Sequence, residues 1–344
     1  MSISNYLRYT TARYLRKALY RITPKTTAAD GTTYRNIGQD KLPKDSKRAL
    51  VIYTTYALRH YLSGTLDFFP GLNKHAIYWE SIEMIKTLNS SGYIVDYFDN
   101  KTKQPIDWQK YDLVIDERDN LKEAGQIQGQ KKVFYCTGCH WLFHNLAELK
   151  RIESFYERHG IFIPAQRQIA PLESDEYADF ITYYGTDFLT NLYKHSDARK
   201  IQLNISAVYT PPYQKKDIEH SRNNFLWIGG GGMLHKGLDL IIEAFAKLPE
   251  TTLYVAGNLK AEPKFWSWAE QYFKKYPHIK YLGWVDVSSE KFCHIANDCI
   301  SVVYASCSEG GPSSIAQALH FGLIPMVTRE SNVRAESLGF LLNG

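Results

Sequence analysis

From residue 49 onward the chain alternates short apolar runs with longer segments of helical spacing. Residues 49–54, 93–98, 112–116, 132–136, 180–184 and 201–203 read as strands, and 73–89, 142–158 and 185–195 as helices between them. A second series follows, with strands at 225–228, 252–256, 279–282, 300–304 and 324–328. Helices at 238–248, 264–275, 290–295 and 313–321 separate those strands. Strands alternating with helices predict parallel sheets covered on both faces. A stretch of Pro-Pro, Lys-Lys and Asn-Asn pairs at 210–224 divides the two series. The expectation is an α/β protein of two doubly wound, Rossmann-like domains, at 47–215 and 216–344. They would face each other across a cleft that holds the ligand.

The N-terminus follows a different pattern. In residues 5–22, Leu7, Thr11, Leu15, Ala18 and Ile22 share one helical face, while Arg13, Arg16, Lys17 and Arg21 occupy the other. Pro24 stops the pattern. Residues 1–24 are therefore expected as a basic amphipathic helix. It would lie on an anionic membrane surface, or pack on the body with a solvated basic face. Residues 25–46, rich in Thr, Asp, Gly and Lys, read as a linker. Charge adds to this picture: residues 1–48 hold eleven Lys or Arg against three Asp, a sum of +8, so the rest of a chain of net charge +5 carries −3. A basic arm on a slightly acidic body argues against nucleic acid as a partner. No apolar run approaches the ~20 residues that cross a bilayer, and basic residues interrupt any secretion signal. The five cysteines then read as reduced thiols. The expected location is cytoplasmic, with peripheral contact to the inner face of the membrane through residues 1–24.

Two glycine-rich turns carry the candidate chemistry. The strand at 300–304 runs into Ser308-Glu309-Gly310-Gly311-Pro312-Ser313-Ser314, where a helix starts at once. Such a turn presents free N–H groups and a helix N-terminus beside one carboxylate, at the end of a strand where anionic ligands bind. The strand at 225–228 runs into Gly229-Gly230-Gly231-Gly232, and Lys236 stands just before the next helix. Glycines let the backbone approach a ligand closely, and the lysine can meet a diphosphate as a point charge. No Gly-Lys-Ser/Thr follows, so this is not a Walker loop, and it lacks the Gly-x-Gly-x-x-Gly pattern of a dinucleotide site.

Phe225-Leu226-Trp227-Ile228-Gly229-Gly230 with Lys236-Gly237-Leu238-Asp239, then Val255-Ala256-Gly257, Leu282-Gly283-Trp284-Val285 and Ser308 to Ser314, resembles the second-domain signature of the retaining GT-B glycosyltransferases. These are the group 1 family, which uses nucleotide-sugar donors. The resemblance covers about residues 225–330. It implies a transferase that moves a sugar from a nucleoside diphosphate to an acceptor hydroxyl with retention of configuration. Glu309 then corresponds to the first acid of the family's paired-glutamate motif, which holds the donor sugar. The ribose-binding second acid is Gln317 here. Lys236 matches the lysine that stabilises the departing diphosphate, but the arginine usual five residues earlier is Gly231. Gly230, Gly231, Gly283, Trp284, Val285, Gly310, Gly311, Ser313 and Ser314 complete the implied donor site, with the base at 283–285. His140 resembles the family's histidine that faces the donor sugar. The alternative, read from its residues alone, is a packing or helix-capping histidine.

Cys136-Thr137-Gly138-Cys139-His140 also fits the pattern of covalent haem attachment, yet that chemistry belongs to exported chains. Zinc is not expected, for want of a second ligand pair at suitable spacing. With no Asp-x-Asp after a strand, metal-independent transfer is expected, with the nucleotide sugar as co-substrate and no other cofactor. Trp141, Trp266 and Trp268 are candidates for an acceptor groove or for packing. The acceptor would be a glycan, a lipid-linked sugar or a protein, as in polysaccharide biosynthesis. Gly231 and Gln317 keep open a non-catalytic nucleotide-sugar or glycan-binding protein of the same fold, and a GT-B nucleotide-sugar epimerase is a further alternative. The family fold continues beyond the position where this sequence ends, so a C-terminally truncated second domain is expected.

Overall fold

The computed structural model describes residues 32–69, 72, 75–208, 215–335 and 338–342. The amphipathic helix expected at 1–24 lies outside the described residues. By its contacts the chain forms two compact units, residues 1–72 with 77–112, and residues 73–76 with 113–344.

The first unit carries β1 (Thr33–Ile37), β2 (Arg48–Tyr53) and β3 (Ile94–Asp99), with helix α1 (Ala76–Ser90) between the last two. β2 and β3 pair in parallel from Arg48↔Ile94 to Tyr53↔Asp99, and β1 adds antiparallel to β3. β3 is buried along its whole length, which places Asp96 inside the unit. Its carboxylate is met by Arg48 at 3.0 Å, Lys110 at 2.9 Å, the Tyr111 hydroxyl at 2.8 Å and the Asn36 N–H at 2.8 Å. β1 corrects the reading of 25–46 as linker throughout. An antiparallel edge strand needs only one half-buried face, so its five residues show no strong alternation.

The second unit holds two parallel sets of strands. β4 (Leu113–Asp116), β5 (Lys131–Tyr135), β6 (Phe180–Tyr184) and β7 (Arg199–Leu203) lie side by side in that order. β8 (Asn224–Ile228), β9 (Thr252–Ala256), β10 (Ile279–Gly283), β11 (Ser301–Tyr304), β12 (Ile324–Thr328) and β13 (Phe340–Leu342) form a six-stranded sheet in the order β10-β9-β8-β11-β12-β13. The order reverses between β8 and β11, which pair in parallel at Ser301↔Phe225 and Val302↔Leu226. In an open α/β sheet a ligand crevice forms outside the carboxyl ends of the strands that flank such a reversal. The two glycine-rich turns leave from those two ends. The expected α/β class, with parallel Rossmann-like sheets, is what the structure shows.

The helices of this unit are α2 (Trp141–His159), α3 (Asp187–Leu192), α4 (Leu238–Phe245), α5 (Pro263–Lys275), α6 (Glu290–Asp298) and α7 (Ser313–His320), besides shorter turns. α2 buries His144, Glu148, Ile152 and Phe155, one stripe at helical spacing, and ends at Gly160 in the left-handed conformation. Ile152 and Phe155 join the core of the six-stranded sheet, where Phe155 meets Trp268 edge-on at 5.1 Å. Trp268 is therefore a core residue, not a wall of a groove. Arg158 of α2 pairs with the buried Asp239 of α4. None of the helices among the described residues is long and apolar enough to cross a membrane.

Candidate functional site

The site begins with two loops pressed together. Gly237 takes a left-handed φ of 68° at the start of α4, and a Cβ there would overlap the carbonyl oxygen of Ala305. Only glycine permits that approach. The fit turns Lys236 inward, where its Nζ donates to the Tyr304 hydroxyl at 2.7 Å and to Glu309 Oε1 at 2.6 Å. Tyr304 donates to the same carboxylate oxygen at 2.7 Å, and Ser306 Oγ lies 3.3 Å from it. The Lys236 and Glu309 side chains are each 9% exposed. Burial alone would raise the Glu309 carboxyl, but the charges of Lys236, His235 and Arg167 override it and hold the group down at about 2.

Two histidines back this pair. His235 Nε2 sits 2.7 Å from the Ser308 carbonyl, and burial pushes its imidazole down to about 4 despite the nearby Glu309 carboxylate. The ring is thus neutral at pH 7, with Nε2–H as the donor. The His144 ring lies tilted against it, 4.7 Å between centroids, with Nδ1 3.0 Å from Ser308 Oγ and Nε2 2.7 Å from the Arg167 carbonyl. A second carboxylate closes the glycine loop: Glu262 accepts from the Gly232 N–H at 2.6 Å and the Met233 N–H at 3.2 Å. Burial raises Glu262, and those two N–H bonds only partly offset it.

The acidic turn is closed on its outer side. A Cβ on Gly310 would run into the Thr137 carbonyl and the Gly138 Cα. Cys139 Sγ donates to the Glu309 carbonyl at 3.0 Å, and Asn332 links the Gly310 carbonyl to that of Tyr184. At Glu309 the two sides of the expected cleft are in contact. α7 starts after Pro312 with no side-chain cap, so the N–H groups of Ser313 and Ser314 sit in an uncapped first turn.

Of the residues expected from the sequence, Lys236, Glu309, Gly310 and Gly311 come together here, with Gly230 and Gly231 in the loop before Lys236. Gln317 is buried, and its Oε1 accepts from the Val208 N–H at 3.1 Å. Gly283 turns the chain at φ 75°, leaving Trp284 exposed and Val285 buried. His140 takes another place. Its Nδ1 caps α2 by accepting from the Leu142 N–H at 3.3 Å, and its ring lies against Tyr193 and His195. His144, one helical turn on, is the histidine beside Ser308. The Cys-x-x-Cys-His run forms no common site: Cys136 points to Tyr193, while Cys139 points to the acidic turn.

Three residues of the site are absent from the sequence-based set. Tyr304 is the last residue of β11, and nothing in an apolar run marks its hydroxyl. His144 follows His140 by one helical turn, a spacing that does not tell the two apart. Arg167 lies in the loop after α2 and carries no local signal. Its side chain runs across Gly232, where a Cβ would touch its Cγ and Cδ. The Arg167 stem therefore crosses the glycine loop at Gly232, and its charge acts on Glu309 from a segment 65 positions before that glycine.

Residues 214–339 match the glycosyl transferases group 1 family. The match takes in β8 to the start of the last strand, with both glycine-rich turns, and a little over a third of the chain. No curated protein matches. Among solved structures, one similar chain is the pneumococcal O-GlcNAc transferase GtfA in complex with UDP and GlcNAc. Identity is 15% over 67% of this chain and 46% of that one, with a TM-score of 0.41. Anabaena Alr3699/HepE in complex with UDP and glucose is 15% identical over 76% of this chain and 75% of that one, at a TM-score of 0.45. WaaG, a glycosyltransferase involved in lipopolysaccharide biosynthesis, is 16% identical over 75% and 65%, at 0.40. The chain spans less than half the length of the first of these.

Proposed function

We propose that this protein is a glycosyltransferase that moves a sugar from a nucleoside diphosphate to an acceptor hydroxyl, with retention and without a metal at the diphosphate. The observation that carries the reading is the buried Lys236–Glu309 pair at the strand-order reversal, inside the segment that matches the group 1 family. In the reaction the anomeric carbon's bond to the diphosphate breaks and its bond to the acceptor oxygen forms. The hydroxyl proton leaves with the diphosphate or to solvent. Negative charge grows on the departing phosphate. Lys236, Arg167 and the uncapped first turn of α7 are the groups placed to meet it. Lys236 would share its charge between Glu309 and the phosphate, and Glu309 would turn its second oxygen to the sugar hydroxyls. His144 takes the supporting position beside this turn, and residues 1–24 would hold the protein at an anionic membrane surface near its acceptor.

A second reading is a nucleotide-sugar-binding protein without transfer. It is favoured by Gln317, whose acceptor oxygen is engaged by Val208, and by Glu262, which fills the glycine-loop N–H groups. Incubation with a panel of nucleotide sugars and acceptors, scoring release of nucleoside diphosphate, separates the two. Release that depends on acceptor supports transfer. Binding of nucleoside diphosphate with no release from any donor sinks the transferase reading and leaves the binding protein.

A further inference from the structure

Away from the Lys236–Glu309 pair, three side chains from separate segments converge. His140 stands at the N-cap of α2, Asp175 in a short helix before β6, and His195 after α3. One imidazole nitrogen of each histidine and one carboxylate oxygen of Asp175 all lie within 4.8 Å of one another. We infer that this cluster binds one divalent transition-metal ion of the zinc type, a site independent of the proposed glycosyl transfer.

The donor set argues for the class of ion. Two imidazoles and one carboxylate suit zinc or cobalt, whereas magnesium and calcium select oxygen alone. Asp175 is 2% exposed, and among the described residues its carboxylate meets one hydrogen-bond partner, His195 Nε2 at 2.7 Å. A carboxylate this deep normally has more than one partner, and an ion would take up its remaining lone pairs. Its backbone is fixed by the Ser196 hydroxyl, which donates to the Asp175 carbonyl at 2.6 Å. The two histidine rings meet edge to face, 5.3 Å between centroids, and Tyr193 walls one side. His195 is 45% exposed, which leaves an entry path from solvent. Water would complete a four-coordinate shell.

Binding has a definite cost. An ion on either nitrogen of His140 ends the acceptor role of Nδ1, which then holds the ion or the remaining proton, so the 3.3 Å bond from the Leu142 N–H is given up. The His195–Asp175 hydrogen bond is replaced by two bonds to the ion. Both are small beside a metal–ligand set. The Cys136 and Cys139 thiols, which share this stretch of sequence, are not ligands. Cys136 Sγ is turned to the Tyr193 hydroxyl and the Gly138 carbonyl, and Cys139 Sγ to the Glu309 carbonyl on the acidic turn.

The test uses the full chain without an affinity tag of histidines, stripped with a chelator and titrated with Co²⁺ and then Zn²⁺. One Co²⁺ per chain is expected, with visible d–d bands, no sulfur-to-cobalt charge-transfer band, and displacement by Zn²⁺. His195→Ala and Asp175→Asn each remove a ligand and should weaken binding by more than the roughly hundredfold that loss of an outer-shell partner costs. His195→Gln keeps a hydrogen-bond donor for Asp175, so it should fold as the wild type yet still lose the ion. Absence of a cobalt spectrum overturns the inference. So does a thiolate-type spectrum, or undiminished binding in the His195→Gln variant.

Discussion

Two carboxylates lie buried at the same end of the six-stranded sheet, Glu262 against the glycine loop and Glu309 on the acidic turn, and they titrate in opposite directions. Both lose water, which raises a carboxyl group. Glu262 is answered mainly by two backbone N–H groups and stays raised. Glu309 is answered by the full charge of Lys236, helped by Arg167 and, in the acid range where its ring takes a proton, by His235, and falls to about 2. Burial does not set the charge state of a site; the cations brought to it do. Glu262 therefore behaves as a loop cap, and Glu309 as the fixed anion around which the site is arranged.

The sharpest way to break this comparison is to remove one charge from each. Glu309→Gln leaves Lys236 buried without its counter-ion and should cost about 3–5 kcal/mol by denaturant titration. The Lys236→Met/Glu309→Gln double variant should lose far less than the sum of the two single changes. Where the variant folds, turnover should drop far more than nucleotide affinity, and equal loss of both would contradict the role given to Glu309. A smaller effect is expected at the contact that closes the turn. Gly310→Ala forces a methyl group onto Thr137 and Gly138 and should cost about 1–3 kcal/mol. Gly230→Ala, with open space around it, serves as the control whose stability should not change.

The pH dependence separates the carboxylate from its histidine neighbour. Folding holds His235 unprotonated, whereas the unfolded chain takes a proton below the ordinary 6.5. That part of the stability is intact above 6.5 and is lost as pH falls towards about 4, at most about 1.4 kcal/mol per pH unit. The depressed Glu309 keeps its contribution down to its ordinary 4.5 and loses it only towards about 2. Unfolding midpoints should therefore fall from pH 7 to 5 in the wild type and fall less steeply in His235→Asn, with His144, also depressed by burial, keeping part of the slope. An unchanged slope would assign the effect elsewhere. The smallest change is expected from Glu262→Gln. Its amide oxygen still accepts the Gly232 and Met233 N–H groups and no cation loses a partner, so stability should move by less than about 1 kcal/mol. A loss as large as that of Glu309→Gln would erase the distinction.

Much of this is legible in the sequence. The alternation of apolar runs with helical spacing located β2 to β12 within a few residues, because buried parallel strands are almost wholly apolar. The glycines of both turns and Lys236 before α4 marked the loops that leave β8 and β11. β1 and β13 were not legible. Each is a short strand at a sheet edge, with too few buried positions to make a pattern. His140 drew attention as a single histidine after a strand, but sequence spacing cannot tell which of two histidines one turn apart faces a neighbour.

The sequence by itself determined the class of fold, the strand ends that carry the turns, and the pairing of one lysine with one acid as candidates. These are local properties, set by periodicity and by what glycine allows the backbone to do. Tertiary structure alone decided that Arg167 lies over Gly232, that Tyr304 joins Lys236 on one oxygen of Glu309, and that His140, Asp175 and His195 meet. The residues of these sets come from segments far apart in the chain. Their distances are fixed by how those segments pack against one another, and no pattern within any one segment encodes them.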